Sequence, residues 1–171
     1  MDPEPPSLPF LNTLDFTAII GFAIIIVLLF LAALISGAEV AFFSLSPQDL
    51  EKSALKSPRK IKIISNLLER PKKLLATLLV ANNVLNISIV ILFIKISEPF
   101  FLEIINPGFR LLLKIILITF VILFFGEVLP KIFASRNNIK FAKATVYLIV
   151  FLLKILSPIS LTLWFLTIYL R

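Results

Sequence analysis

Three long apolar runs, separated by one basic stretch and one polar turn, set the pattern of the chain. Phe16 to Ile35 holds 20 residues without a charge, enough at about 1.5 Å per residue to cross a hydrocarbon core of about 30 Å. The apolar pattern continues past Ser36, Gly37 and Glu39 to Ser46, where Pro47 is expected to close the first helix. From Gln48 to Lys73 the pattern changes. Leu50, Leu55, Ile61, Ile64 and Leu68 recur at roughly helical spacing, broken by Pro58, which predicts one or two short amphipathic helices on a membrane surface. Leu74 to Ile94 is a second span, interrupted only by Thr77, Asn82, Asn83, Asn86 and Ser88. A polar turn from Lys95 to Arg110 follows, with Pro99, Pro107 and Gly108 as breakers. Leu111 to Phe125 begins a third span, which runs on through Gly126, Glu127 and Pro130.

The last stretch, Ala144 to Arg171, is apolar enough to span, but Lys154 and the Ser157-Pro158 step interrupt it. Hydropathy leaves two arrangements open. One is a fourth span; the other is a broken helix pair in the inner leaflet, with Trp164 and Tyr169 near the headgroups.

Composition removes the soluble alternatives. The chain has 171 residues, 59% of them hydrophobic and 16% charged, and a mean hydropathy of +1.04. A soluble domain is about 25% charged, and a body of this size has no interior large enough for so much apolar surface. The fold class expected is an all-α membrane protein. With no Cys and no His, a disulfide framework, a zinc site and thiol or imidazole catalysis are excluded. The net charge of +7 does not point to nucleic acid, because the basic residues lie between apolar spans.

Their placement gives the orientation. Eight of the 17 Lys and Arg fall between Gln48 and Lys73, and Lys131, Arg136, Lys140 and Lys143 form a second cluster. Residues 1–15 hold three acids and no Lys or Arg. The positive-inside rule therefore places the N-terminus outside and both basic clusters in the cytoplasm. The acidic, proline-rich start lacks the basic n-region of a secretory leader, and none is expected.

Polar side chains inside a bilayer are costly, so each needs a reason. Ser36 lies 11 residues before Pro47, Asn82 lies 11 residues after Pro71, and Glu127 lies ten residues before Asn137. All three then sit about 15 Å from the cytoplasmic helix ends and can meet at one level. Asn86 shares a helix face with Asn82. Pro130 contributes through what it lacks: without its N–H, the carbonyl four residues earlier, that of Gly126, loses its helical partner. The set Ser36, Asn82, Asn86, Gly126 and Glu127 is all oxygen, which favours a hard ion such as Mg²⁺, Ca²⁺ or Na⁺. Structural hydrogen bonding between helices is the bland alternative, as is an i,i+4 pair of Glu127 with Lys131. Glu39 is expected to face the cytoplasmic vestibule or pair with a basic loop residue. Ala33, Gly37 and Ala41 form small-xxx-small steps, suited to close helix packing within the chain or across a dimer.

At these residues the sequence resembles a known family. Ser36-Gly37-Ala38-Glu39, Leu68-Glu69-Arg70-Pro71, Ala81-Asn82-Asn83 with Asn86, and Gly126-Glu127-Val128-Leu129-Pro130-Lys131 are similar to the transmembrane domain of the CNNM/CorC magnesium transporters, hemolysin-like and gliding-motility-associated proteins among them. The resemblance implies a homodimer in the inner membrane, with three transmembrane helices per subunit, cytoplasmic-side juxtamembrane helices and a C-terminal helical belt. It implies Mg²⁺ bound between the helices at Ser36, Asn82, Asn86, Glu127 and the Gly126 carbonyl, and Mg²⁺ export, often linked to Na⁺. On this reading residues 1–15 are an extracytoplasmic tail and 16–143 the transmembrane domain with its amphipathic loop 48–73. Residues 144–171 are the belt, leaving the C-terminus cytoplasmic. The cytosolic CBS-domain pair and the further small domain of such proteins are not among these residues. Two positions depart from the family pattern, Ala81 for Gly and Ala38 for Ser, and neither removes a proposed ligand.

Two function classes follow: an ion transporter, or a membrane anchor or ion sensor read by cytosolic CBS domains or gliding-motility partners. An enzyme is not expected, because one intramembrane carboxylate without a second acid, thiol or imidazole makes no catalytic set.

Overall fold

Proline opens most of the helices of this protein. The computed structural model describes residues 16–169, with side chains described for 16–156. Helix α1 runs Phe16–Phe43, α2 Pro47–Ala54, α3 Pro58–Leu68 and α4 Pro71–Ile96. A 3₁₀ turn, Glu98–Phe101, leads to α5, Pro107–Val121. The same helix continues as a π segment, Ile122–Val128, and then as α6, Leu129–Arg136. Helix α7 is Asn138–Tyr169. No strand occurs among the described residues.

The breakers Pro47, Pro58, Pro71 and Pro107 each sit in the first turn of a new helix, where a missing N–H costs nothing and the fixed φ is already helical. Ser46 and Asp49 form a capping box on α2: Asp49 N–H donates to Ser46 Oγ at 3.2 Å, and Ser46 N–H donates to the Asp49 carboxylate at 3.1 Å. The two hydrogen bonds from Ser46, side chain first, hold the Asp49 carboxyl below its ordinary value. Asn106 caps α5 by accepting from the N–H groups of Gly108 and Phe109. The basic stretch thus resolves into two short helices, and the second and third spans start about one turn earlier than their apolar runs.

Among the described residues, three helices are long and apolar enough to cross a membrane: Phe16–Phe43, Pro71–Ile96 and the composite Pro107–Arg136. Their outward faces are strongly apolar and exposed, for example Ile24, Val27, Val84, Ile87, Phe120 and Phe124. Such surface is stable against lipid and unstable against water. The protein is an all-helical membrane protein.

Helix α1 is central and packs against α4, the π segment, α6 and α7. Two buried apolar clusters form around it. One, at the basic end, joins Ile35, Ala38 and Phe42 to Ile64, Leu78 and Val146. The other, toward the far end, joins Ile25 and Ala32 to Ile89, Phe93, Ile118 and Ile122. The seam between them falls between Ala32 and Ile35 on α1, between Ala81 and Ile89 on α4, and between Ile122 and Ala134 on the third span.

Residues 144–169 belong to one helix that starts earlier, at Asn138, and the backbone stays helical through Ser157 and Pro158. Of the two arrangements that hydropathy left open, the helix is therefore not broken at that step. A proline removes one ladder bond, and the turns on either side keep theirs. Val146 and Ile149 are buried against the basic-end cluster, while Leu148, Leu152 and Leu156 share an apolar groove with Leu31, Ile35 and Leu85. The described part of α7 therefore reaches the level of the seam. The N-terminal tail, residues 1–15, and the side chains of Trp164 and Tyr169 lie outside the described residues.

Candidate cation site at the seam between two apolar clusters

Of the polar residues singled out by depth, Asn82, Asn86 and Glu127 converge on the seam. Asn82 and Asn86, one turn apart on α4, both aim their amides at Glu127 on the third span. Asn86 Nδ2 donates to Glu127 Oε1 at 3.0 Å and Asn82 Nδ2 donates to the same oxygen at 3.3 Å. With Oε1 taking both donors, Oε2 makes no hydrogen bond among the described residues.

Three further side-chain oxygens of the singled-out residues are buried without a partner, two of them at the seam and the third, Ser36 Oγ, one position past Ile35 on α1. Ser36 Oγ, Asn82 Oδ1 and Asn86 Oδ1 are shielded from solvent and accept or donate no hydrogen bond. Ser36 is 1% exposed, so its hydroxyl is sealed off from bulk water, and no hydrogen bond joins it to Asn82, Asn86 or Glu127. An unpaired buried polar atom is destabilising by about 1–3 kcal/mol, and two beside one carboxylate call for a ligand.

Local backbone geometry places Glu127. The third span widens into a π turn over Ile122–Val128, and Leu129 N–H reaches back five residues to the Phe124 carbonyl. Such turns insert one extra residue and cluster at functional sites. Four-residue register, read from the sequence, assigns the loss at Pro130 to the Gly126 carbonyl; in the five-residue register it falls on Phe125. The wide turn and Pro130 together thin the ladder over Phe125 and Gly126. Gly126 also permits close approach: a Cβ there would lie 3.3 Å from Leu29 Cδ1 and 4.0 Å from Ala32 Cβ on α1. Nothing in the local sequence marked the π turn beforehand.

Glu127 also borders a cleft of about 330 Å³ between α4 and the third span, walled by Asn86, Val90, Thr119 and Ile122. Apart from Asn86, Thr119 and the carboxylate, its walls are apolar.

Two charged contacts were not anticipated in this form. Lys131 does not pair with Glu127. Its Nζ lies 3.5 Å from Glu39 Oε2, which ties the Ser-Gly-Ala-Glu segment of α1 to the Gly-Glu-Val-Leu-Pro-Lys segment of the third span. Glu39 thus pairs with a basic residue, as expected, but with one on a span. At the far end of the bundle Glu98 accepts from Arg110 Nη1 at 2.7 Å and from Lys114 Nζ. Lys114, in α5, is 1% exposed, and its ammonium also lies 5.5 Å from the Phe101 ring centre. The signal was present in the sequence, since a lysine four residues into an apolar span needs a partner and the preceding turn offers Glu98.

Of the small-residue steps, Gly37 and Ala41 are buried and Ala33 half-buried. A Cβ on Gly37 would stand 2.5 Å from Phe141 Cζ, so the gap left by this glycine is filled by α7 of the same chain.

The donor set suits a hard cation: one carboxylate, two amide oxygens and a hydroxyl, with no nitrogen or sulfur ligand. No cluster of three or more His, Cys, Asp or Glu occurs among the described residues, so charge neutralisation at the seam rests on Glu127 alone.

The sequence comparisons agree with this architecture. The family profile described as "CNNM: Cyclin M transmembrane N-terminal domain" matches residues 23–171. A "UPF0053 protein" of Haemophilus influenzae is 31% identical over 138 residues, covering 81% of this chain and 32% of that relative. The chain thus spans about a third of the length of the curated relative it matches. With the family profile covering most of the chain, including every residue at the seam, this protein belongs to the CNNM transmembrane-domain family.

Proposed function

We propose that this chain is the transmembrane domain of a Mg²⁺ transporter, acting in efflux and exchanging Mg²⁺ against Na⁺. The observation that carries the reading is the seam, where two amides converge on the Glu127 carboxylate while Asn82 Oδ1 and Asn86 Oδ1 stay buried without partners, as does Ser36 Oγ on α1.

The chemistry of binding follows from those groups. The amide N–H₂ groups of Asn82 and Asn86 hold Glu127 Oε1. Turning each amide about its terminal torsion replaces two N–H donors by two Oδ1 acceptors, directed at the space beside the carboxylate. Ser36 Oγ and the Gly126 carbonyl at the wide turn complete an oxygen set. One carboxylate half-neutralises a divalent ion, so the ion is held loosely and keeps part of its water, as a conducting site requires. Release follows from rearrangement at the π turn and Pro130, where the third span has its weakest ladder.

In this reading the basic helices α2 and α3 and the cluster around Lys140 and Lys143 face the cytoplasm, following the positive-inside rule. The chain works as a homodimer in the inner membrane, and cytosolic CBS domains of the longer protein read or regulate it. The chain is not an enzyme.

Reconstitution into liposomes loaded with a Mg²⁺-sensitive dye tests the proposal. Mg²⁺ flux that requires Glu127 and is abolished by Glu127→Ala supports transport. Mg²⁺ binding with no flux in either direction, with or without a Na⁺ gradient, would assign the chain to the anchor or sensor class instead.

A further inference from the structure

Lys154 interrupts the otherwise apolar stretch of α7 from Ala144 to Leu156, and the cation site gives it no role. It borders a cleft of about 420 Å³ together with Lys73 of α4 and Leu67 of α3. A neighbouring cleft of about 390 Å³ shares Leu67, Lys73 and Leu153 and adds Arg70 and Glu69. Both volumes fall in the range of small-ligand sites.

Three separate parts of the fold bring cations here. Arg70 comes from the α3–α4 junction, Lys73 from the first turn of α4, and Lys154 from α7; Glu69 is the acid among the lining residues. Among these lining residues the cations outnumber the acid. The floor is apolar, with Leu74 buried and Leu67 and Leu153 half-buried. The cleft also lies where the second span begins, at Pro71, and in the orientation proposed above that end meets the cytoplasmic headgroups.

We propose that this cleft binds the phosphodiester headgroup of an anionic phospholipid, with Arg70, Lys73 and Lys154 on the phosphate and the upper acyl chain against Leu67 and Leu153. Arg70 presents a planar fork matched to phosphate oxygens, and the lysines add point charge. Basic pockets between helices at the cytoplasmic boundary take anionic headgroups in this way. A soluble anion would use the cations and leave the leucine floor in water; a lipid uses both. The site is separate from the seam, so it stands whether or not the chain carries Mg²⁺.

The purified chain, exchanged into zwitterionic detergent, is titrated with phosphatidylglycerol and with phosphatidylcholine, and retained lipid is counted by native mass spectrometry. The cleft variant is Arg70→Gln/Lys73→Gln/Lys154→Gln. The charge-matched control is Lys52→Gln/Lys56→Gln/Lys62→Gln, three exposed positions on α2, on the α2–α3 turn and on α3, outside the cleft. Lys154→Gln alone, at an exposed position, covers the case in which the triple variant does not elute as a folded species. The expected result is selective retention of phosphatidylglycerol, about tenfold or more weaker in the cleft variant, clearly weakened in Lys154→Gln and unchanged in the control. Millimolar inorganic phosphate leaves the bound lipid in place. Equal loss in the control and cleft variants would reduce the effect to diffuse surface charge and overturn the proposal. Unchanged binding in the cleft variants would overturn it, as would displacement of the lipid by inorganic phosphate.

Discussion

Asn86 on α4 donates to Glu127 on the third span at 3.0 Å, and this bond joins two spans at the one level where neither apolar cluster fills the bundle. It also makes the pair sensitive to charge. Replacing Asn86 by Asp exchanges the donor for a second carboxylate about 3 Å from the first, and like charges at that distance repel strongly. We expect Asn86→Asp to lower the thermal midpoint in a chelator and to regain it on adding Mg²⁺. A fluorescence melt in detergent, with and without Mg²⁺, checks this. A midpoint indifferent to Mg²⁺ in the variant would argue against a cation beside Glu127.

Gly37 and Phe141 are fitted to each other. A Cβ at position 37 falls 2.5 Å from the ring tip, and the ring is further constrained edge-on by Phe133 at a centroid distance of 6.3 Å. Gly37→Ala is expected to destabilise by about 1–3 kcal/mol through overpacking. Adding Phe141→Leu should recover part of that loss. Chemical denaturation of the single and double variants measures both, and additive effects would mean that the two positions do not touch.

The far-end pair is asymmetric, because Lys114 is buried while the Glu98 side chain is half exposed. Removing Glu98 strands a buried ammonium, whereas removing Lys114 leaves a carboxylate that water can solvate. Glu98→Gln should therefore lower the thermal midpoint more than Lys114→Met does. The reverse order in a thermal melt would contradict this account.

The same contact sets a pH dependence. Hydrogen bonds from Lys114 first, and then from Arg110, hold the Glu98 carboxyl below its ordinary value of 4.5. A depressed carboxyl contributes stability that is in full force above the unfolded value and fades as pH falls through the folded one. Wild type should lose thermal stability below about pH 4.5 more steeply than Glu98→Gln, as read from melts across an acid series.

Glu39 and Lys131 face each other at 3.5 Å with both side chains partly exposed. Pairs of this kind contribute about 0–1 kcal/mol. Glu39→Gln is thus expected to change stability by less than about 1 kcal/mol and to leave cation binding intact. A loss of binding comparable to that of a Glu127 variant would place Glu39 in the site.

The spans and the common depth of their polar residues were legible in the sequence because both depend on one number, the helical rise, applied from proline and asparagine landmarks. Asn82, Asn86 and Glu127 meet as that arithmetic requires, whereas Ser36, with no hydrogen bond to them, is buried beside Ile35 and Ala38 of the basic-end cluster. What was not legible depended on register or on distant partners. The π turn shifts hydrogen bonds by one residue without any breaker inside it, so the carbonyl beside Pro130 could not be assigned from spacing. Lys131 has acids at Glu127, one turn away, and Glu39 on another helix; only packing decides between them. The Ser157-Pro158 step left a continuous helix and a broken pair both open, because a proline removes one ladder bond without having to end the helix. Gly37 announced close packing, but its partner, Phe141, lies 104 positions further along the chain.

Calorimetric titration of Mg²⁺ into the purified chain, for wild type and Glu127→Ala with Ca²⁺ as the comparison ion, tests the central claim most directly. The account predicts saturable binding selective for Mg²⁺ that disappears in the variant while the variant remains helical and monodisperse. Unchanged binding in Glu127→Ala, or no binding by folded wild type, would contradict it and leave the polar layer as hydrogen-bonded glue between the spans.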